Sequence, residues 1–273
     1  MTATVGDIIG IMERFAPLEL AEAWDNSGLQ VGHVDWPVKN IMVALDPTPD
    51  VLNSAIEDSA NLLITHHPLI FSPIKSIDLG TPLGGMIASA IRNHMAVFSA
   101  HTNFDSALEG LNDILAARIG LKNLSVLESR GLQPASLDEN LNGLGRIGDL
   151  GRQSDLASLC RMLKQALHIE TVRMIGPPEL PINRVAICTG SGASLMAHFL
   201  SSDAQVFITG DIRYHDARKA EESGMALIDI GHFGSEHIMV KALVDRLTGS
   251  LAKLHQDVSV HACEVERDPF TTL

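Results

Sequence analysis

Residues 59–68 read SANLLITHHP, and residues 203–212 read DAQVFITGDI. Each is a short apolar run that passes through Ile-Thr and stops at a polar or turn-forming exit. A run of this length, bounded by breakers, fits a strand buried on both faces. The neighbouring stretches decide the fold. Upstream, IMVALDP (Ile41–Pro47) and RVAICTG (Arg184–Gly190) form a second pair. Downstream, MAVFSAHTNFD (Met95–Asp105) and MALIDIGHFGSE (Met225–Glu236) form a third. Helical spacing separates the runs, as where Val51, Leu52, Ala55 and Ile56 share one side of residues 50–60. Strands alternating with helices predict an α/β sheet built from crossover connections.

The pattern restarts at Arg184, so the chain reads as two related α/β units. Each is expected to be a mixed sheet flanked by helices, with a metal site between them at the carboxyl ends of the strands. The expected bounds are 1–125 for the first unit, with a C-terminal helix in 235–273 as its candidate completion, and 126–234 for the second. In this alignment Arg184 stands opposite Ile41, His66 and His67 opposite Gly210 and Asp211, and His101 opposite His232.

The remaining stretches follow from local signals. Ile8, Ile9, Met12 and Phe15 place a helix over Val5–Phe15. Residues 72–85, rich in Pro and Gly, read as a mobile loop, and a helix is expected over about 86–93. TNFDSALEGLNDILAARIG opens on polar caps and reads as one amphipathic helix ending at Gly120. The polar, Gly-rich stretch 123–151 contains Gly143, Gly145 and Gly148 in GxGxxG spacing. A dinucleotide loop needs a strand before it and a helix after it. No buried β run precedes Gly143, so a β segment at a unit boundary is the expectation.

Composition narrows the function classes. A net charge of -13 argues against a nucleic-acid surface, which needs basic patches. Cys160, Cys188 and Cys263 are odd in number and lack a CxxC pair, so neither a disulfide framework nor a thiolate zinc site is signalled. No apolar run approaches a membrane span, and the amino-terminal stretch lacks the pattern of a signal peptide, which makes a cytoplasmic location the default expectation.

Chemistry concentrates where the strands end. His66 and His67 follow one strand. His101 precedes Asp105 by four residues, and His232 precedes Glu236 by four. A helix starting there would put i and i+4 on one face. Twelve histidines in 273 residues produce about 0.5 adjacent pairs by chance, so the doublet alone signifies little. Three clusters at corresponding strand ends signify more, because ligands gather at the carboxyl ends of such sheets. Four imidazoles and two carboxylates exceed the needs of one ion and suit two, bridged by a carboxylate. Adjacent strand residues face opposite ways, so His66 and His67 are expected to serve different ions. Nitrogen and oxygen donors without thiolate suit Zn, Mn, Fe, Co or Ni.

WDNSGLQVG, ITHHPLIF, HTNFD, TGDIRYHDA and GHFGSE, in this order, resemble the Nif-three-like dinuclear-metal proteins, many of them described as GTP cyclohydrolase 1 type 2 homologs. The resemblance runs from Val5 to about Leu247, in the compact form without the domain that some members insert. It implies His66, His67, Asp105, His232 and Glu236 as metal ligands, with Glu236 as a bridging candidate and His101 beside the ions. Trp24, Asp25, Asn26 and Gly28 match a motif implied to shape the cavity. Ser27 departs from the small apolar residue common there. The resemblance also implies a toroidal homohexamer and a small anionic nucleotide substrate. The leading expectation is a metal-dependent hydrolase in which His101 or Asp211 moves protons. The alternatives are a non-catalytic metal-binding, metal-storage or scaffold protein, and a two-metal phosphoesterase.

Overall fold

The computed structural model describes residues 2–129, 142–255 and 257–271. Residues 130–141 of the polar middle stretch lie outside them. The chain divides into two compact units, one of Met1–Phe104 with Met239–Arg267, the other built on Asp105–Ile238. The divisions fall at Phe104/Asp105 and Ile238/Met239, against the expected 125/126 and 234/235.

In the first unit, strands β1 (Gly28–Val31), β2 (Asn40–Ala44), β3 (Leu62–Thr65) and β4 (Ala96–Ser99) form a sheet with β11 (Ser259–Ala262). Their order is β1-β4-β3-β2-β11. β1 runs antiparallel to β4, and the other pairs are parallel. Part of 235–273 is helical, as α10 (Ile238–Lys253), but the chain then adds β11 to the open edge of β2.

The helices begin where the side chains dictate. Thr4 and Asp7 form a capping box on α1 (Val5–Phe15). Thr48 caps α2 (Pro49–Glu57), with Pro49 at its first turn, where a missing N–H costs nothing. Thr81 and Pro82 do the same for α3 (Pro82–Arg92), which therefore starts four residues before the expected 86. Val51, Leu52, Ala55, Ile87 and Ala90 of α2 and α3 pack with Met42, Leu63 and Val97 of the sheet.

The stretch after β4 is two helices, α4 (Thr102–Ser106) and α5 (Leu111–Arg118), because Gly110 interrupts it with extended backbone. In the second unit β5 (Leu121–Ser129), β6 (Gly143–Asp155), β7 (Arg173–Ile175), β8 (Pro181–Ser191), β9 (Val206–Gly210) and β10 (Ala226–Asp229) take the order β5-β6-β8-β9-β10-β7, with α6 (Leu156–Leu167), α7 (Met196–Leu200) and α8 (Tyr214–Glu222) between them in the chain. The GxGxxG stretch lies inside β6, as expected of a β segment. A Cβ on Gly145 would stand 2.8 Å from the Ile187 carbonyl, and one on Gly148 2.7 Å from Leu124. These glycines let strands approach, with no phosphate required. Beside them Arg146 is fully buried. Its guanidinium bonds Asp113 at 2.5 and 3.0 Å and the carbonyls of Ala107, Gly143 and Gly145.

The internal repeat is physical. β2-β3-β4 and β8-β9-β10 are both parallel triplets in chain order. Asn61 Oδ1 accepts from Lys39 N and Asn40 N, and Gln205 Oε1 accepts from Asn183 N and Arg184 N. This pairing sets Arg184 opposite Asn40, one residue from the expected Ile41. It also corrects the histidine equivalence. Ala100 N bonds Thr65 O as Ile230 N bonds Thr209 O, which aligns Ala100 with Ile230 and hence Thr102 with His232. His101 precedes its helix, whereas His232 is the first residue of α9 (His232–Glu236). Strand pairing runs through without the gap that matching the two histidines requires.

Candidate metal centre

The parallel register Ala44–Thr65–Ser99 brings the carboxyl ends of β2, β3 and β4 to one edge of the first sheet. His66 and His67 leave β3 there, and His101 follows β4. One ring nitrogen from each of the three lies within 4.8 Å of the others. The two neighbouring rings stand 5.1 Å apart at 51° rather than on opposite faces. The reason is local. β3 ends at Thr65, so strand alternation no longer applies. The turn is fixed instead by His67 N on Leu45 O at 3.0 Å, Thr65 Oγ1 on His67 O at 2.7 Å and Ser99 Oγ on His66 O at 2.7 Å.

All three rings are anchored the same way. His66 Nδ1 lies 2.8 Å from Ala100 O, His67 Nδ1 2.7 Å from Asp46 Oδ1 and His101 Nδ1 2.8 Å from Asp25 Oδ1. Carbonyl and carboxylate oxygens only accept, so each Nδ1 carries a proton. An imidazole held through one nitrogen by such an acceptor is the ordinary form of a histidine ligand.

The anchors are themselves held. Glu266 accepts from Leu45 N and Asp46 N at 2.9 Å. Asp25 accepts from His101 Nδ1, Thr102 Oγ1 at 2.6 Å and Ser27 Oγ at 2.7 Å, and its side chain is fully buried. Burial alone would push its carboxyl up. The hydrogen bonds from His101, Thr102 and Ser27, with the charge of His101, outweigh burial and hold it well below the ordinary carboxylate range. Of the rest of that motif, Trp24 is exposed, Asn26 Nδ2 donates to Ile70 O and Gly28 begins β1 at φ +106°.

In the second unit α9 brings His232 and Glu236 together, Nε2 to Oε2 at 3.0 Å. His232 Nδ1 is held by Asp211 Oδ2 at 2.7 Å, a fourth ring anchored through Nδ1. Asp211 therefore orients His232. Gly190 has φ +58°, and a Cβ there would lie 2.1 Å from Glu236 Oε1. Gly210, opposite His66 in the repeat, has no room for a side chain: a Cβ would meet Gly190 O and His232 N at 2.8 Å. That crowding explains why the second unit lacks the doublet. Asp105 Oδ1 accepts from Thr189 Oγ1 at 3.2 Å. Asn112, fully buried, donates to Asp105 O and accepts from Thr189 N, both at 3.0 Å.

Asp46, Glu266, Asn112 and Gly190 are absent from the sequence-derived set. Asp46 ends a predicted strand and carried a usable signal. Glu266 carried none, since its partner Leu45 is 221 residues away, and neither did Asn112, whose bond to Thr189 spans 77 residues.

The donors fit divalent ions. Nitrogen and carboxylate oxygen, without thiolate, match Zn, Mn, Fe, Co or Ni. The His232–Glu236 pair sharpens the match. His232 Nε2 stands 3.0 Å from Glu236 Oε2 with the ring held through Nδ1, so an imidazole nitrogen and a carboxylate oxygen are offered side by side. In the first unit His66, His67 and His101 could likewise hold an ion. Among the described residues no helix is long and apolar enough to cross a membrane.

Comparison with known proteins agrees. The chain is 35% identical over 272 residues to the GTP cyclohydrolase 1 type 2 homolog of Clostridium acetobutylicum, covering 99% of both chains. It is 35% identical to the protein of the same name from Streptococcus pneumoniae, covering 97% of each. A Bacillus cereus protein related to NIF3 superposes with a TM-score of 0.91 at 25% identity over the full length of both chains. The sequence profile of Duf34/NIF3 (NGG1p interacting factor 3) matches residues 3–269, and the chain belongs to that family.

Proposed function

We propose that the protein binds two divalent ions through His66, His67, Asp105, His232 and Glu236 and works as a metal-dependent hydrolase on a nucleotide-like substrate. Ring opening of the guanine of GTP is the specific form suggested by the name of its relatives. One observation carries this reading. His66, His67, His101 and His232 are all fixed through Nδ1 by an acceptor, and one ring nitrogen from each of the first three lies within 4.8 Å of the others.

When bound, the ions would supply Lewis acidity and a nucleophile near neutral pH. The chain's own residues supply orientation and proton handling. Asp46 holds His67, and Asp211 holds His232. His101, backed by buried Asp25, accepts a proton at Nε2 and stabilises it there by the Asp25 charge 2.8 Å from Nδ1. Asp211 is committed to His232, so proton transfer falls to His101. An acidic protein with clustered imidazoles draws an anionic substrate to its ions rather than to its surface.

The test is turnover of GTP by purified, metal-loaded protein beside His67→Ala and Glu236→Ala, with metal content measured on the same samples. Loss of metal and of product in both variants is expected. Product formation unchanged in both would assign the activity to a contaminant. Metal retained by the wild type with no turnover of GTP or of phosphate esters would leave the non-catalytic metal-binding function.

A further inference from the structure

Two aromatic rings stand in solvent beside the histidines of the first unit. Trp24 is 60% exposed and Phe71 55%. Their centroids are 5.9 Å apart, and the Trp24 centroid is 6.0 Å from that of His101. Burying rings of this size is among the largest gains a small region can make. The fold forgoes that gain and spends polar groups on holding the two rings in place. Asp25 N closes a turn on Glu22 O around Trp24, and Glu22 N is tied to Thr102 Oγ1 at 2.8 Å. Asn26 Nδ2 donates to Ile70 O at 2.6 Å, Ile70 N donates to Gln30 Oε1 at 3.1 Å, and Gln30 Nε2 returns to Asn26 O at 2.5 Å. The segments carrying the two rings are thus laced to each other. The Trp24 segment is also fixed by Thr102 and by Asp25, and Asp25 holds the His101 ring.

We infer that Trp24 and Phe71 form a stacking rest for a planar nitrogen heterocycle, a nucleobase, whose edge meets the histidine cluster. An aliphatic occupant would cover the two rings but offer nothing to the imidazoles. A sugar phosphate would meet the imidazoles but leave the rings bare. A base has a π face for the aromatic pair and a polar edge for His101, beside Trp24, and for His66 and His67, whose ring centroids lie 5.1 and 5.6 Å from that of His101. Base–aromatic stacking tolerates any base, so the rest sets substrate class while the histidine edge selects among bases. The inference deepens the proposed nucleotide-like substrate, and rests on the proposed metal site for where that edge points.

The experiment uses Trp36→Phe protein, full length and metal-loaded, in which Trp24 is the remaining one of two tryptophans. Guanosine monophosphate and ribose 5-phosphate are titrated separately while Trp24 fluorescence is followed. Saturable quenching by the nucleotide and none by the sugar phosphate is expected. Adding Phe71→Ala or Phe71→Leu should weaken nucleotide binding about tenfold, and Phe71→Tyr should preserve it, with metal content and assembly size unchanged. If Trp36→Phe does not fold, equilibrium dialysis of the same two probes against protein with Trp36 intact gives the same comparison. Equal binding of both probes with no effect at Phe71 overturns the inference, as does absence of nucleotide binding. A change of assembly size in Phe71→Ala also overturns it, since it would make Phe71 a subunit contact. Metal content separates the two ideas: full metal without nucleotide binding sinks the stacking rest, and wild type that takes up no metal sinks the metal site.

Discussion

Replacing Gly190 with Ala tests the metal reading without touching a ligand. Two effects are separable. First, Gly190 sits at φ +58°, where a Cβ costs about 1–2 kcal/mol. Second, the new methyl would lie 2.1 Å from Glu236 Oε1, 3.0 Å from its carboxyl carbon and 3.2 Å from His232 Nε2. Ordinary contact begins at 3.4 Å, so the carboxylate must withdraw by 1.3 Å. A bound metal tolerates ligand displacements of about 0.2 Å. Glu236 is 3% exposed, and Ser235 Oγ accepts from Gly190 N at 2.9 Å, so α9 cannot easily retreat. Gly224→Ala is the control: Gly224 has φ +69°, and a Cβ there meets nothing within 4 Å. Gly224→Ala should lower the melting temperature by about 2–8 °C and keep the metal. Gly190→Ala should melt at least as low and lose metal more than tenfold on dialysis against a weak chelator. Metal content by mass spectrometry and thermal unfolding on matched samples decide it. If Gly190→Ala holds metal as tightly as Gly224→Ala, Glu236 is not a ligand and the argument from crowding is wrong.

Three further outcomes follow. Asp25→Asn keeps one acceptor oxygen of two, so its amide N–H confronts either His101 Nδ1–H or Thr102 N–H, and should destabilise the protein by about 2–4 kcal/mol in urea titrations at pH 7. Because the Asp25 carboxyl is depressed from 3.8 on folding, its stabilisation is fully present above that pH and fades as pH falls below it. Wild type should therefore lose stability between pH 4 and 2.5 more steeply than Asp25→Asn, and parallel curves would contradict the network. Asp113→Ala leaves the buried Arg146 guanidinium without its counter-charge and should cost about 3–5 kcal/mol, whereas Asp203→Ala at the exposed end of an ion pair with Arg184 should change stability by less than 1. Chelation should lower the melting temperature of wild type and of His101→Ala alike, since His101 is assigned to protons; if His101→Ala is already at the chelated value, His101 is a ligand.

Much of this was legible in the sequence because apolar runs and their polar exits are local signals. The strands at 40–44, 62–65 and 96–99, and their repeats at 181–191, 206–210 and 226–229, sit where buried runs meet breakers. The helix starts were less legible. Thr81 and Pro82 lay inside a stretch judged by its Pro and Gly content, although that pair is itself a start signal. Gly110 sits inside an amphipathic pattern, where a single glycine does not announce a break. The one-residue errors in the repeat arose because apolar runs slide against each other without penalty in sequence. In the sheet, Asn61 and Gln205 fix the register through their side chains. At the site, residue types and strand ends were visible, but orientation was not. Nothing in ITHHP tells that both rings turn to one side, which depends on bonds to Leu45 and Ser99.

The position of Glu266 bears on how the protein is made. The second unit is a nearly continuous stretch, whereas the first needs residues 239–267 to close its sheet, and Glu266 secures the strand end that holds Asp46 against His67. On the ribosome, β2 waits with a bare edge until β11 is synthesised more than two hundred residues later. The half begun first thus waits for residues 259–266, and the brace on its histidine cluster is in place only after they have emerged. A chain broken off early would carry the motif ITHHP intact and still lack the brace that aims it.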